Sequence, residues 1–128
     1  MQHDPQVTWR NIDPTDAERE LVDDKISQLD SFSDQLLRCR VMVETPHPHG
    51  RTGNLAHVRI DMTLPGRELV VRRDPPEHQA HEELHVAIRD AFNAARRQLV
   101  DHTAKVRDQI RREGAATKRE GAPEPPLG

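Results

Sequence analysis

Apolar and polar side chains alternate without a break from residue 56 to residue 64, and this stretch limits the possible folds more than any other part of the chain. The alternation is typical of a β-strand with one face buried and the other in water. The apolar positions are Ala56, Val58, Ile60, Met62 and Leu64. A Pro65-Gly66 turn follows and residues 67–73 return as a strand, which predicts a β-hairpin. A sheet built on this hairpin needs a cover on one face only.

Two more strands are indicated by the same kind of pattern. Residues 6–12 are predicted to form a short strand with Val7 and Trp9 on one face. Residues 37–44 also alternate and are predicted to form a strand. Residues 45–53 contain two prolines and two glycines, which predicts a loop before the hairpin.

Two helices complete the predicted elements. Thr15 and Glu18 have the spacing of a capping box, which starts a helix that runs to about Asp30. A longer helix is predicted from about Gln79 to about Arg112, because apolar residues recur there at helical spacing.

The predicted order β-α-β-β-β-α defines an α+β fold, a two-layer sandwich of a four-stranded sheet with two helices on one face. The folded domain is predicted to cover residues 1–112. Residues 113–128 are rich in glycine and proline without periodicity, which predicts a disordered tail.

Composition excludes several classes of protein. Cys39 is the only cysteine, so neither an intramolecular disulfide nor a multi-cysteine zinc site is available. No stretch approaches the roughly 20 apolar residues of a membrane span, and no signal peptide is seen. A cytoplasmic protein without a membrane partner is therefore expected. One tryptophan, two phenylalanines and no tyrosine argue against RNA recognition by aromatic stacking.

Acidic and basic residues are segregated along the chain, although the net charge is only −3. Residues 13–34 carry eight acids and two bases, whereas residues 35–73 and 86–112 each carry seven bases and three acids. The local field, rather than the net charge, governs the docking of a polyanion. The sequence therefore remains compatible with a nucleic-acid partner.

Basic side chains are predicted on two elements. Arg38, Arg40 and Arg59 belong to the water-facing side of the sheet, and Arg89 and Arg96 lie about 110° around the long helix from its apolar stripe. We expect these side chains to form one cationic surface, because arginine suits contacts to phosphate. A solvated charged face, which is usual for soluble helices, stays open as the alternative.

The run His81-Glu82-Glu83-Leu84-His85 matches the zinc-hydrolase pattern H-E-x-x-H. On a helix this spacing places two zinc-binding histidines on one face, with the glutamate as general base. A catalytic zinc also needs a third protein ligand and an open position, and only His47 or His49 of the loop could supply that ligand. We therefore predict no metal, cofactor or catalytic residue, and keep a zinc hydrolase as an alternative.

Both helices resemble the short ribosome hibernation factors, the group of hibernation-promoting factor and ribosome-associated inhibitor, also called sigma-54 modulation proteins. In the first helix the resemblance rests on the capping threonine and on Val22, Lys25, Leu29 and Phe32. In the long helix it rests on His81-Glu82-Glu83-Leu84, Ala87-Ile88 and Arg97-Gln98-Leu99. It covers about residues 6–105. The family usually has an aromatic residue where this chain has His85, which accounts for the H-E-x-x-H match.

The resemblance implies a fold similar to a double-stranded-RNA-binding domain and a non-catalytic inhibitor of translation under stress and in stationary phase. The implied partner is the decoding channel of the small ribosomal subunit, contacted through the 16S rRNA backbone. No small-molecule substrate is expected, and the protein is expected to be monomeric off the ribosome. RNA contacts carried over to matching positions are Lys25, Arg89, Arg96, Arg97 and Lys105. A protein-interaction module that modulates a transcription factor, as the older family name suggests, is a further alternative.

Overall fold

The computed structural model of the protein describes residues 1–46, 55–76 and 82–121, with residues 115–121 described by their backbone alone. The elements in chain order are β1 (Gln6–Arg10), α1 (Asp16–Phe32), β2 (Arg38–Glu44), β3 (His57–Leu64), β4 (Arg67–Arg73) and α2 (Leu84–Gly121). The predicted order β-α-β-β-β-α and the α+β fold class are confirmed. The predicted loop of residues 45–53 lies mostly outside the described residues.

The four strands form one mixed sheet in the order β1-β2-β3-β4. β1 and β2 are parallel, because α1 carries the chain back between them as in a βαβ unit. β2, β3 and β4 are antiparallel neighbours, joined between β3 and β4 by the tight Pro65-Gly66 turn. Gly66 has a φ of 69°, which the third residue of a type II turn requires and which glycine adopts without strain.

One face of the sheet is buried and the other is open, as the alternation of residues 56–64 predicted. Val41, Ile60 and Val71 are register partners across three strands, and each is at most 2% exposed. The strand β4 could not be oriented from its sequence, since Leu69, Val70 and Val71 are consecutive. The structure turns Leu69 inward and leaves Val70 39% exposed.

The core lies between the inner face of the sheet and the apolar sides of the two helices. In the helices, the buried side chains up to residue 96 are Val22, Ile26, Leu29, Ala87, Ile88, Ala91, Phe92 and Ala95. Cys39 on β2 belongs to this core, and burial raises the pKa of its thiol to about 12. A thiol that stays protonated at neutral pH is a small hydrophobe rather than a nucleophile.

The helix α1 begins with the predicted capping box. The backbone N–H of Glu18 donates to Thr15 Oγ1 at 3.1 Å, and the backbone N–H of Thr15 donates to Glu18 Oε1 at 2.8 Å. Two free donors at the first turn are thereby satisfied. The helix ends at Phe32, two residues beyond the predicted end at Asp30.

Both ends of α2 differ from the prediction. The helix begins at Leu84 rather than near Gln79, because Glu82 before it binds Arg73 of β4. The predicted end at Arg112 is too early, since the helix runs to Gly121. Alanine, lysine, arginine and glutamate dominate residues 113–120, and their high helix propensity outweighs the single Gly114.

The chain divides into two units, residues 1–96 and residues 97–128. The first contains the sheet, α1 and the beginning of α2, and the second, as far as residue 121, is helix. The division into a domain of residues 1–112 and a disordered tail of residues 113–128 stays a prediction. Among the described residues, neither helix has the run of apolar sequence that a membrane crossing demands.

Candidate nucleic-acid interface

Two of the predicted RNA-contacting residues, Lys25 and Arg96, meet in an open groove between α1 and α2. The groove has a volume of about 490 Å³ and is called the basic groove below. Its lining residues are Lys25, Ser27, Gln28, Leu29, Ser31, Phe32, Phe92, Asn93 and Arg96. No carboxylate is among them, so the two cations set the charge of the groove.

The two helices run side by side in the same direction where they form this groove. The last two turns of α1 line it together with Phe92, Asn93 and Arg96 of α2. The Arg96 guanidinium lies over the ring of Phe32, with its Cζ atom 5.2 Å from the ring centroid. This is a cation–π contact, and 42% of the Phe32 residue remains exposed beside it.

A second groove lies along the same pair of helices at their amino-terminal ends, and Arg89 belongs to it. This acidic groove is lined by Thr15, Ala17, Glu18, Glu20, Leu21, Asp24, His85 and Arg89. Three carboxylates therefore share the groove with Arg89. The structure separates Arg89 from Lys25 and Arg96, because Arg89 lies beside the acidic first turns of α1 and Arg96 lies beside its last two turns.

The predicted sheet arginines Arg38, Arg40 and Arg59 lie on the open face of the sheet, opposite the helices. Arg40 Nη2 lies 3.5 Å from Asp61 Oδ2 and 3.2 Å from Glu68 Oε2. Arg59 Nε donates to Asp61 Oδ1 at 2.8 Å, and this hydrogen bond raises the pKa of Arg59. Two of these three arginines are thus already paired with carboxylates.

The cationic surface expected from the sequence is therefore not a single surface. Lys25 and Arg96 share the basic groove, Arg89 lies in the acidic groove, and the sheet arginines lie on the other side of the sheet. Arg97 and Lys105 are exposed on α2 and belong to the second unit. No ion pair between described residues involves Lys25, Arg38, Arg89 or Arg96.

Sequence reasoning missed the exposure of Phe32. The small number of aromatic residues argued against stacking, and the aromatic position was used only to support the family resemblance. Phe32 is the last residue of α1, and this position at the end of the helix was a usable signal.

The H-E-x-x-H match does not have the geometry of a zinc hydrolase in the described residues. Glu82 and Glu83 precede α2, so Glu82 does not share a helical turn with His85, and His81 lies outside the described residues. Arg73 donates to both oxygens of Glu82, at 2.5 and 2.6 Å. A second contact joins Arg73 Nη2 to Asp90 Oδ2 at 3.1 Å. Glu82 is therefore engaged in an ion pair that anchors the start of α2 to β4.

The ion pair predicts a pH dependence of stability. The hydrogen bonds from Arg73 hold the pKa of Glu82 below its usual value of 4.5. A lowered folded-state pKa means that the stabilisation is complete above the usual pKa and is lost as the pH falls through the lowered one. We expect Glu82→Gln to lower the free energy of unfolding by about 1–3 kcal/mol at pH 7. Urea unfolding at several pH values measures the effect, and the free energies of unfolding of parent and variant should converge under acid conditions. A difference that stays constant across pH would contradict the role of the Arg73–Glu82 ion pair.

Two solved structures share the fold of the described chain. The N-terminal domain of Thermus thermophilus Protein Y is 26% identical, with a TM-score of 0.55 over 73% of this chain and 90% of that domain. A ribosomal subunit interface protein from Coxiella burnetii has a TM-score of 0.61 over 78% of this chain and 97% of that chain. The second is 17% identical and supports the fold alone.

The sequence places the chain in a family. Residues 6–107 match the family described as Sigma 54 modulation protein / S30EA ribosomal protein, and the chain belongs to it. The ribosome hibernation promotion factor of Deinococcus radiodurans is 29% identical over 120 residues, which are 94% of this chain and 55% of that protein. The chain thus spans about half the length of this curated relative. The resemblance inferred from the two helices is confirmed.

Proposed function

We propose that this protein is a ribosome-associated translation inhibitor that binds the small ribosomal subunit without catalysing a reaction. It occupies the decoding channel and contacts the backbone of 16S rRNA, which keeps the ribosome idle. Such a factor acts where ribosomes are, in the cytoplasm. The observation that carries the proposal is the basic groove of a chain that belongs to the S30EA family.

The charge distribution within the first unit favours the helix side as the RNA contact. Lys25 and Arg96 face the basic groove without a carboxylate among its lining residues. On the sheet side, Arg40 and Arg59 have Asp61 and Glu68 as partners, which a phosphate would have to displace. An unpaired cation gains more from a phosphate than a paired one, because no existing contact is lost.

Cosedimentation with purified ribosomal particles tests the proposal. We expect binding to 30S and 70S particles and much weaker binding to 50S particles. The logarithm of the binding constant should fall linearly with the logarithm of the salt concentration, between about 50 and 400 mM, since each phosphate contact releases counterions. A reaction supplied with preformed mRNA should also lose translation as the protein approaches the concentration of ribosomes.

Two results would defeat the proposal. One is the absence of 30S binding at low salt. The other is salt-insensitive binding to a protein partner without ribosome association, which would favour the transcription-factor alternative.

A further inference from the structure

The ring of Phe32 is exposed inside the basic groove, although most aromatic side chains of this size are buried in the core. Phe92, the other phenylalanine, lines the same groove but is only 3% exposed. Phe32 is 42% exposed and has the guanidinium of Arg96 above it. The groove therefore offers an aromatic ring with a delocalised cation over it, and Lys25 lines the same groove.

These groups match the parts of a single nucleotide. A base stacks on a phenyl ring or on the plane of a guanidinium, and both are present at Phe32 and Arg96. The ammonium group of Lys25 suits the phosphate that is covalently linked to the base. The groove volume of about 490 Å³ lies within the range of small-ligand sites.

A base can enter the groove only if it is not stacked within a helix. In duplex RNA the bases are covered by their neighbours, and a protein reaches mainly phosphates and sugar hydroxyls. An exposed ring in a groove is useful for a nucleotide that is splayed out of a loop, a bulge or a single strand. The polar lining by Ser27, Gln28, Ser31 and Asn93 supplies donors and acceptors for the edge of such a base.

We propose that the basic groove is a binding site for one unpaired RNA base, stacked on the Phe32–Arg96 pair, with its phosphate at Lys25. The identity of the ligand as RNA rests on the proposed function. The site adds to backbone binding a preference for unpaired over duplex RNA. A contact of this kind selects where on a folded RNA the protein settles, which contacts to phosphate alone do not.

Fluorescence anisotropy with labelled RNA tests the site. The probes are a single-stranded oligonucleotide without internal pairing and the blunt-ended duplex that it forms with its complement. We expect tighter binding to the single strand. The variant Phe32→Leu keeps the helix and the apolar contact but removes the ring, and should weaken single-strand binding at least about 5-fold. The binding of this variant to the duplex should stay unchanged, and its melting curve serves as the control for folding.

The salt dependence separates stacking from charge. Phe32→Leu should lower affinity by the same factor at every salt concentration, because it removes no phosphate contact. Lys25→Gln, the matched change of charge in the same groove, should lower the slope of log K against log salt by about 0.7. In a Trp9→Phe background, Phe32→Trp should retain binding, and the tryptophan fluorescence should be quenched when the single strand is added.

The outcomes distinguish this proposal from the proposed function. If Phe32→Leu binds the single strand as tightly as the parent, or if the parent shows no preference for the single strand over the duplex, the base site is wrong even when 30S cosedimentation is intact. If the parent fails to cosediment with 30S particles while the ring-dependent preference for single strands persists, the base site stands and the ribosomal role fails. Absence of single-strand binding at low salt overturns the base site.

Discussion

Replacing Lys25 and Arg96 together by glutamate should abolish cosedimentation with the 30S subunit. The two cations define the charge of the basic groove, and no carboxylate lines the groove to offset their charge in the parent protein. Each lost phosphate contact removes the release of condensed counterions, and each new carboxylate repels the RNA backbone. We expect the affinity to fall by at least about 100-fold near physiological salt. The measurement is a binding isotherm from cosedimentation at several salt concentrations.

A matched control lies on the other side of the sheet. Replacing Arg38 and Arg72 by glutamate changes the net charge by the same amount on the open face of the sheet. If the helix side contacts the RNA, this control should lose far less affinity than the groove variant. Equal losses would indicate a general field effect, and intact binding of the groove variant would move the interface elsewhere.

Replacing Arg73 by methionine should lower the free energy of unfolding by about 3 kcal/mol. Arg73 is the inward-facing base at the end of β4, and its side chain is 15% exposed. Its removal leaves the carboxylate of Glu82, whose side chain is 9% exposed, without its partner. A buried charge without a partner costs more than the lost contact itself. Urea unfolding with an unchanged m value measures the effect.

The neighbouring residue provides the control for this prediction. Arg72→Met changes the same residue type on the open face of β4 and should alter stability by no more than about 0.5 kcal/mol. The double variant Arg73→Met, Glu82→Leu should recover much of the loss, because it removes both charges instead of one. A loss below about 1 kcal/mol in Arg73→Met would show that the ion pair does not anchor α2.

The ion pair between Arg73 and Glu82 also explains where sequence reasoning failed on α2. Residues 79–83 have ordinary helix propensity, and nothing local forbids a helix there. The chain nevertheless holds Glu82 outside the helix, because its carboxylate reaches back to a strand nine residues earlier.

The prediction of a single cationic surface failed for a related reason. The angular position of Arg89 and Arg96 on α2 was estimated from one helix, and both positions are exposed as expected. Which residues of α1 lie opposite each of them depends on how two helices pack. Packing set Glu18, Glu20 and Asp24 beside Arg89, but Lys25 and Phe32 beside Arg96.

Local patterns in the chain were enough for the element order, the Pro65-Gly66 hairpin, the capping box at Thr15 and the buried side of β3. Each depends on residues within about four positions of one another, so backbone geometry and burial period dictate the result. The register of β4, the start of α2 and the pairing of Lys25 with Arg96 depend on atoms that are distant along the chain. Contacts of that kind exist only after the sheet and helices have packed, because packing selects one partner among many residues of suitable type.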